Sequence, residues 1–208
     1  MSYRYYQQEA DDAISEELLE HNKCLVKMFC GAGKSLLMRR CKVAEHKPLV
    51  VYVFPSLALV KQFVDDYLGD IASTLVLTIC SETETDSTTD LEQILGYLKV
   101  VVNSKTICIT YQSFHLLVQA LEQTNKKIDV CFFDEAHHAV GKTYQKLIFE
   151  KPDIAVKQVF LTATPKNANG IVMYDRHHFA PEYRMCGNLV YDYSYLQGVS
   201  DGFLNPFD

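Results

Sequence analysis

Two short polar stretches contain the residues of this chain that could act on phosphate groups. The first, Gly31-Ala32-Gly33-Lys34-Ser35, follows an apolar run and opens a segment of helical period. A strand that turns into a helix presents free backbone N–H groups to an anion, and the helix dipole favours negative charge there. Gly31 and Gly33 would let the backbone approach phosphates. Lys34 would pair with the β and γ phosphates, and the Ser35 hydroxyl would bind magnesium.

This first stretch departs from the full phosphate-loop pattern at one position. Met28 stands where the pattern GxxxxGK[ST] begins with glycine. The match is therefore moderately specific, and a glycine-rich helix start without a nucleotide is the structural alternative. The strand predicted before the stretch and the helix predicted after it favour the phosphate loop.

The second stretch, Asp134-Glu135-Ala136-His137, closes the apolar run 130–133. Adjacent carboxylates at the carboxyl end of a strand are costly unless a cation and a water molecule need them. We expect Asp134 to hold magnesium, usually through water, and Glu135 to act as the general base for an attacking water. An exposed acidic turn would explain such a pair alone, but its combination with Lys34 disfavours that interpretation.

The elements that must position these residues follow an α/β pattern. Apolar, β-branched runs alternate with segments of helical period, which predicts a parallel sheet with helices on both faces. The predicted strands are 24–29, 49–54, 75–80, 106–110, 130–134, 158–162 and 189–193. The predicted helices are 7–20, 34–45, 56–68, 91–100, 113–123 and 143–149.

The chain is expected to form one domain, since 208 residues with 48% apolar content can build a single core. Residues 81–90 have no apolar side chain, which predicts an exposed acidic loop ending in a helix cap at Thr89 or Asp90. Residues 205–208 resemble the start of a linker.

Composition restricts partners and compartment. The net charge of −6 disfavours binding of nucleic acid by bulk electrostatics, so any contact must be local. Seven cysteines without a Cys-x-x-Cys pair favour a reducing compartment. Neither a signal peptide nor a membrane span is visible, so a soluble intracellular protein is expected, in the cytoplasm, nucleus, virion or a viral replication site.

The order of the motifs resembles the first RecA-like domain of superfamily 2 helicases and translocases with a DEAH-type box. This resemblance covers nearly the whole chain and implies a three-layer RecA-like P-loop fold. The matching segments are 4–8 for the Q motif, 28–35 for motif I, 54–59 for motif Ia, 110–113 for the TYQS segment, 134–137 for motif II, 162–164 for motif III, and 190–195 with 202–204 for the closing strand and helix.

The resemblance implies roles for residues of the nucleotide site. Gln7 would read the adenine base, with Gln8 as the second choice, and Arg4 or Tyr5 would flank the ring. Loop residues 31–35, including Ala32, would hold the phosphates of ATP, with Mg²⁺ bound by Ser35 and Asp134. The catalytic residues that the resemblance implies are Lys34, Asp134, Glu135 and His137.

The resemblance also implies a nucleic-acid face and a coupling route. Its contacts would be hydroxyls and backbone amides rather than cations, which suits an acidic domain. The implied contact residues are Pro55, Ser56, Thr110, Gln112 and Ser113. His137, Thr162 and Thr164 would couple the γ-phosphate to that face.

Two departures from the family pattern matter. Cys30 stands where many relatives carry threonine, and a thiol at a helix N-terminus can become reactive, although a tolerated small side chain is the simpler interpretation. No motif of a second RecA-like domain follows, and that domain carries the arginine finger in such enzymes. The chain alone is therefore expected to bind ATP but to hydrolyse it weakly.

Alternative functions remain at this point. A P-loop kinase or GTP-binding switch would share Lys34 and Ser35, but it would not explain Gln7 or the TYQS segment, and no Asn-Lys-x-Asp motif is present. A non-catalytic nucleotide-binding module is the other alternative. The residue sequences of the motifs resemble those of DNA helicases of restriction-like systems and large DNA viruses more than those of RNA remodelling enzymes, which favours DNA over RNA. Zinc binding by the pairs His137-His138 and His177-His178 lacks ligand spacing.

Overall fold

A parallel β-sheet of eight strands forms the centre of the molecule. The computed structural model describes residues 3–81, 87–151, 154–164, 173–174 and 184–205. The strands are β1 (Lys23–Met28), β2 (Leu49–Phe54), β3 (Val76–Ile79), β4 (Ser87–Thr88), β5 (Lys105–Thr110), β6 (Ile128–Phe133), β7 (Ala155–Thr162) and β8 (Asn188–Tyr193). Their order across the sheet is β4-β3-β5-β2-β6-β7-β1-β8.

Helices cover both faces of this sheet, as the alternating pattern predicts. The helices are α1 (Tyr5–Glu20), α2 (Lys34–Arg40), α3 (Leu57–Tyr67), α4 (Leu91–Lys99), α5 (Phe114–Thr124), α6 (Lys142–Ile148) and α7 (Tyr195–Ser200). The buried side chains of α1, α2 and α3 pack on one face, and those of α4, α5 and α6 pack on the other. The α/β class is therefore confirmed.

The central strands are apolar on both sides because each side faces a helical layer. In β2, Val51 and Val53 belong to the core beneath α4 and α5, whereas Val50 and Tyr52 belong to the core beneath α1 to α3. Side chains alternate between the faces of a strand, so a continuous apolar run is what a doubly covered strand requires. The same runs end in polar residues at the carboxyl edge of the sheet, where a site can form.

Two boundaries of the predicted helices differ from the structure by two residues or more. The helix predicted over 34–45 ends at Arg40, and a short 3₁₀ turn, Lys42–Ala44, follows. The Asp11 carboxylate of α1 accepts the Lys42 backbone N–H at 3.0 Å, so a tertiary contact takes the donor that a longer helix would use. Helix α1 begins at Tyr5, two residues before the predicted Gln7, because the Gln7 side chain accepts the Arg4 backbone N–H at 2.9 Å and so caps the helix at Arg4.

The prediction of an exposed loop over 81–90 does not hold for Ser87 and Thr88. These residues form β4 beside β3, and Thr88 is buried. A backbone can join a sheet edge with polar side chains, which the absence of apolar residues did not indicate. Asp90 caps α4 as predicted, accepting from the Glu92 N–H at 2.9 Å, while 82–86 lie outside the described residues.

Six cysteines are buried and one, Cys30, is exposed; all seven are free thiols. This agrees with their interpretation as small core residues. In the described part of the chain, helices long and apolar enough to cross a lipid bilayer are absent.

Candidate nucleotide-binding site

The predicted phosphate loop connects the end of β1 to the start of α2. Gly31 and Gly33 adopt φ values of 85° and 78°, a left-handed conformation that favours glycine. A Cβ on Gly33 would lie 2.4 Å from Gln7 Nε2, whereas one on Gly31 would meet no atom within 4 Å. The left-handed backbone therefore favours glycine at position 33, where a side chain would also displace the Gln7 amide, and Gly31 faces open space where a ligand could approach the backbone.

Lys34 and the acidic pair converge across the sheet. Strand β7 separates β1 from β6, but parallel strands end at one edge, so the loop after β1 and the acids after β6 lie side by side. The Lys34 ammonium is 3.2 Å from Glu135 Oε1, and the lysine is only 8% exposed. Groups separated by about a hundred residues of sequence thus share one polar centre.

The buried carboxylate of Asp134 has the chemistry of a cation ligand. It is 6% exposed, and its Oδ1 atom has no hydrogen-bond partner among the described residues. Burial, with the nearby Glu135 charge, raises the pKa of Asp134 to about 6, while Lys34 acts in the opposite direction. An unpartnered buried carboxylate oxygen is costly, and a hard divalent cation is the ligand that oxygen donors satisfy. The carboxylate therefore has the donor chemistry that suits magnesium, and the half-buried Ser35 remains the second predicted ligand.

The backbone of Glu135 is strained. Its φ of 43° and ψ of 54° are left-handed, which a residue with a side chain seldom adopts. Such strain is concentrated at functional sites, where surrounding contacts enforce it. Here it turns the chain after Asp134 so that one Glu135 oxygen faces Lys34 and the other lies 3.5 Å from His137 Nδ1.

A hydrogen-bond chain continues from His137 into the predicted motif III segment. His137 Nδ1 lies 3.3 Å from the Thr162 hydroxyl oxygen. That hydroxyl donates to the Thr164 carbonyl at 2.8 Å and accepts the Thr164 N–H at 3.1 Å. Since its single proton is used, the Thr162 oxygen must accept from His137, which assigns the neutral imidazole proton to Nδ1. The structure therefore brings together the three residues predicted to couple the site.

Gln7 braces the phosphate loop, a role that the sequence did not indicate. Its amide nitrogen donates to the carbonyls of Ala32 and Gly33 at 3.1 and 3.3 Å, and the side chain is buried. Arg4 stacks over the Phe203 ring at 4.6 Å and donates to the Tyr6 hydroxyl. The adenine contact predicted for Gln7 and Arg4 remains a prediction, and it would require Gln7 to exchange a loop contact for the base.

The predicted nucleic-acid residues fall into exposed and buried groups. Ser56 is exposed and caps α3, accepting the Leu59 N–H at 3.4 Å, and Pro55 beside it is half-buried. Gln112 is exposed. The hydroxyls of Thr110 and Ser113 are buried and bond to each other at 3.2 Å. Direct contact is therefore open to Ser56 and Gln112, whereas the other two shape the turn.

Tyr111 is a member of this neighbourhood that sequence reasoning left without a role. It is 2% exposed, and its hydroxyl donates to the Asp134 carbonyl at 2.9 Å. The only sequence signal was a phenol directly after a buried strand, and a buried phenol usually finds a polar partner. Nothing in the spacing identified that partner.

The zinc interpretation gains no support within the described ranges. There, no cluster of three or more His, Cys, Asp or Glu side chains is arranged to bind a metal. His177-His178 lies outside the described residues.

Comparison with known proteins identifies the fold. The chain is similar to the ATP-dependent Type ISP restriction-modification enzyme LlaBIII bound to DNA, with 20% identity and a TM-score of 0.79 over 97% of this chain and 16% of that one. It is also similar to a nuclease-deletion mutant of the Type ISP enzyme LlaGI in complex with a DNA substrate mimic, with 21% identity and a TM-score of 0.77 over 97% of this chain and 21% of that one. T4 UvsW gives 17% identity and a TM-score of 0.62 over 92% of this chain and 34% of that one.

These likenesses confirm the RecA-like α/β fold, and the chain spans no more than about a third of the length of each of these three proteins. No curated protein sequence matches the chain. The family described as the type III restriction enzyme, res subunit, matches residues 1–167, from the start of the chain through the predicted motif III. The chain belongs to this family of restriction enzyme res subunits.

Proposed function

We propose that this chain is the ATP- and magnesium-dependent motor domain of a nucleic-acid helicase or translocase, acting on DNA rather than RNA. The observation that carries the proposal is the Lys34 ammonium 3.2 Å from Glu135, beside the unpartnered oxygen of Asp134. A cation, a base and a metal ligand at one strand edge are the parts that phosphoryl transfer to water needs.

Lys34 and the loop amides bind and orient the triphosphate. When ATP enters, the γ-phosphate competes with Glu135 for the lysine, which frees a Glu135 oxygen to accept a proton from water. Ser35 and Asp134 would hold magnesium, which neutralises phosphate charge when it is bound. Gln7 would contact the adenine, with Arg4 beside the ring.

His137 lies between Glu135 and Thr162, so it is the residue through which a change at Glu135 reaches Thr164. We propose that this chain of contacts couples nucleotide state to a strand-binding face that contains Pro55, Ser56 and Gln112. The exposed Ser56 hydroxyl and Gln112 amide suit phosphate contacts that carry no charge.

The proposal includes a second RecA-like domain that supplies an arginine finger. Such a finger can contribute orders of magnitude in rate, so weak hydrolysis is expected from this chain alone. The sequence Asp134 to His137 makes the domain a DEAH-box type, and a viral source is part of the same proposal.

The test uses a longer polypeptide that carries this chain and a second domain. DNA-stimulated ATP hydrolysis should fall by about two orders of magnitude or more in Lys34→Ala and in Glu135→Gln. Lys42→Ala is the matched control, because Lys42 pairs with exposed Asp12 outside the site. Retained hydrolysis in both site variants would refute the assignment.

Nucleotide competition separates this function from a GTP-binding switch. The 208-residue chain should bind a non-hydrolysable ATP analogue with magnesium, and excess GTP should displace it poorly. A preference for guanine would contradict the role of Gln7. Tight ATP binding without hydrolysis by the longer polypeptide would favour a regulatory module.

A further inference from the structure

Tyr111 connects two parts of the site that the proposed function treats separately. It opens the 3₁₀ turn Tyr111–Ser113, which presents Gln112 to solvent. Its hydroxyl donates to the backbone carbonyl of Asp134 at 2.9 Å. The backbone of Tyr111 therefore belongs to the turn that is proposed to contact nucleic acid. Its side chain contacts Asp134, the proposed magnesium ligand.

The Tyr111 ring is held in a fixed position by aromatic neighbours. Ring centroids lie 6.3 Å away for Phe133, 5.6 Å for Tyr144 and 5.9 Å for His138. Burial raises the pKa of the Tyr111 hydroxyl well above its usual value, so it stays protonated and remains a donor. A packed ring of this kind moves with its backbone rather than independently of it.

The turn itself is braced. Thr110 Oγ1 accepts the Ser113 N–H at 3.4 Å and bonds to the Ser113 hydroxyl at 3.2 Å. Residues 110–113 should therefore shift as one unit when a ligand contacts Gln112. The hydrogen bond from Tyr111 would carry that shift to the backbone of Asp134.

We propose that Tyr111 is a positioning residue that couples strand binding at residues 110–113 to the acidic pair, by a route separate from that of His137 and Thr162. This inference rests on the proposed function. Coupling between two sites is reciprocal, so a bound strand changes nucleotide affinity by the same factor as nucleotide changes strand affinity.

The experiment measures that factor in the 208-residue chain. The dissociation constant of a non-hydrolysable ATP analogue with magnesium is determined with and without saturating single-stranded oligodeoxythymidylate. We expect a ratio of about fivefold or more in the wild type. In Tyr111→Phe the ratio should fall well below the wild-type value, because one neutral hydrogen bond is worth about fivefold, but it should not reach one, because the route through His137 and Thr162 remains. Each ligand alone should bind within about twofold of wild type.

Tyr144→Phe is the matched control. Tyr144 belongs to the same aromatic cluster, and its hydroxyl has no hydrogen bond to the residues that the structure describes. This variant should keep the wild-type ratio, which separates loss of the Asp134 contact from loss of a phenol in the cluster. Thermal unfolding of both variants checks that the core is intact.

The outcomes separate a failure of the proposed function from a failure of the role inferred for Tyr111. If the wild type binds neither nucleotide nor oligonucleotide, the proposed function fails and the inference fails with it. If both ligands bind but their affinities are independent, or if Tyr111→Phe keeps the wild-type ratio, the inference alone is overturned. Equal loss of coupling in Tyr144→Phe would also overturn it, because the effect would then belong to the cluster.

Discussion

Charged side chains are buried both at the amino edge of the sheet, where the parallel strands begin, and at the carboxyl edge, where they end. Their binding partners differ between the two edges. At the amino edge, Lys105 donates to the carbonyls of Tyr97 and Leu98 at the end of α4, and Lys126 also reaches Leu98. At the carboxyl edge, Lys34 and Glu135 face each other beside an Asp134 oxygen that has no partner.

The difference lies in the groups that these charges contact. A charge that bonds to backbone atoms holds two elements together, as the half-buried Asp129 does when it accepts the Leu49 N–H at 2.9 Å. Charges that face one another, with a raised carboxyl pKa, are typical of sites kept for a ligand. Substitutions at the carboxyl edge should therefore impair binding more than stability, and those at the amino edge the reverse.

The largest effect is expected at Lys34. In the 208-residue chain, Lys34→Ala should weaken binding of the magnesium–ATP analogue by about two orders of magnitude, because it removes a charge-assisted contact in a buried site. Calorimetric titration measures the affinity, and urea unfolding should show a much smaller change. If Lys34→Ala were much less stable but bound nucleotide normally, the carboxyl edge would serve stability rather than binding, which would contradict the comparison of the two edges.

Asp134 should make the unliganded protein less stable as pH rises. Its pKa is raised from 3.8 to about 6, so the folded state holds this proton more tightly than the unfolded chain. The contribution of Asp134 is thus fully present below about pH 4 and is lost as pH rises through 6. Asp134→Asn should stabilise the unliganded chain by roughly 3 kcal/mol at neutral pH, because a rise of about two pKa units is worth about 1.4 kcal/mol per unit.

Urea unfolding of wild type and Asp134→Asn at a series of pH values measures this difference. The two curves should meet near pH 4, separate as pH rises from 4 to 6, and stay a constant distance apart above pH 6. With magnesium and the ATP analogue added, the order should invert, because only the ionised wild-type carboxylate binds the metal. Parallel curves across the whole range would show that Asp134 titrates normally.

Lys105→Met should lower stability without changing nucleotide affinity. The substitution removes a donor from carbonyls at the end of α4, where a cation also favours the helix dipole. We expect a loss of about 1 to 2 kcal/mol in the free energy of unfolding. Lys99→Met is the control, since Lys99 lies exposed in the last turn of the same helix and its loss removes only the helix-dipole contribution, about 0.5 kcal/mol or less.

The contacts of charged residues were largely predictable from the sequence at the carboxyl edge of the sheet. They were hardly predictable at the amino edge. Asp134 stands directly after an apolar run, and Lys34 follows another such run after a short glycine-containing loop. Parallel strands bring the ends of such runs together, so sequence alone predicted their meeting. Lys105 and Asp129 lie at the beginnings of β5 and β6, but their partners are backbone atoms of α4 and β2. Backbone partners leave no trace in side-chain patterns.

The same reason explains the missed roles of Gln7 and Tyr111. Each donates to main-chain carbonyls, of Ala32 and Gly33 in one case and of Asp134 in the other. Their residue types allowed many partners, and only the tertiary structure selects among them. The end of α2 at Arg40 was missed for a related reason, because the Asp11 carboxylate that takes the next donor comes from another helix.

The smallest predicted effect concerns the hydrogen bonds that join His137, Thr162 and Thr164 at the carboxyl edge. Thr162 accepts from His137 Nδ1 while its own proton goes to Thr164, so neutral His137 should carry its proton on Nδ1. Nitrogen-15 chemical shifts of the imidazole at pH 8 report this tautomer directly. A proton on Nε2 would break the proposed chain of contacts at its centre.

Thr162→Val keeps the shape of the side chain but removes the acceptor. The population of the Nδ1–H tautomer should fall, though not to zero, because Glu135 Oε2 remains 3.5 Å from the same nitrogen. Stability should drop by about 1 kcal/mol, the cost of one buried hydrogen bond. Thr124→Val removes a hydroxyl that donates to Ala120 within α5 at 2.8 Å, and it should leave the His137 shifts unchanged. If both variants shifted His137 equally, the hydroxyl of Thr162 would have no specific part in the network, and the coupling proposed for the carboxyl edge would lose its connection to Thr164.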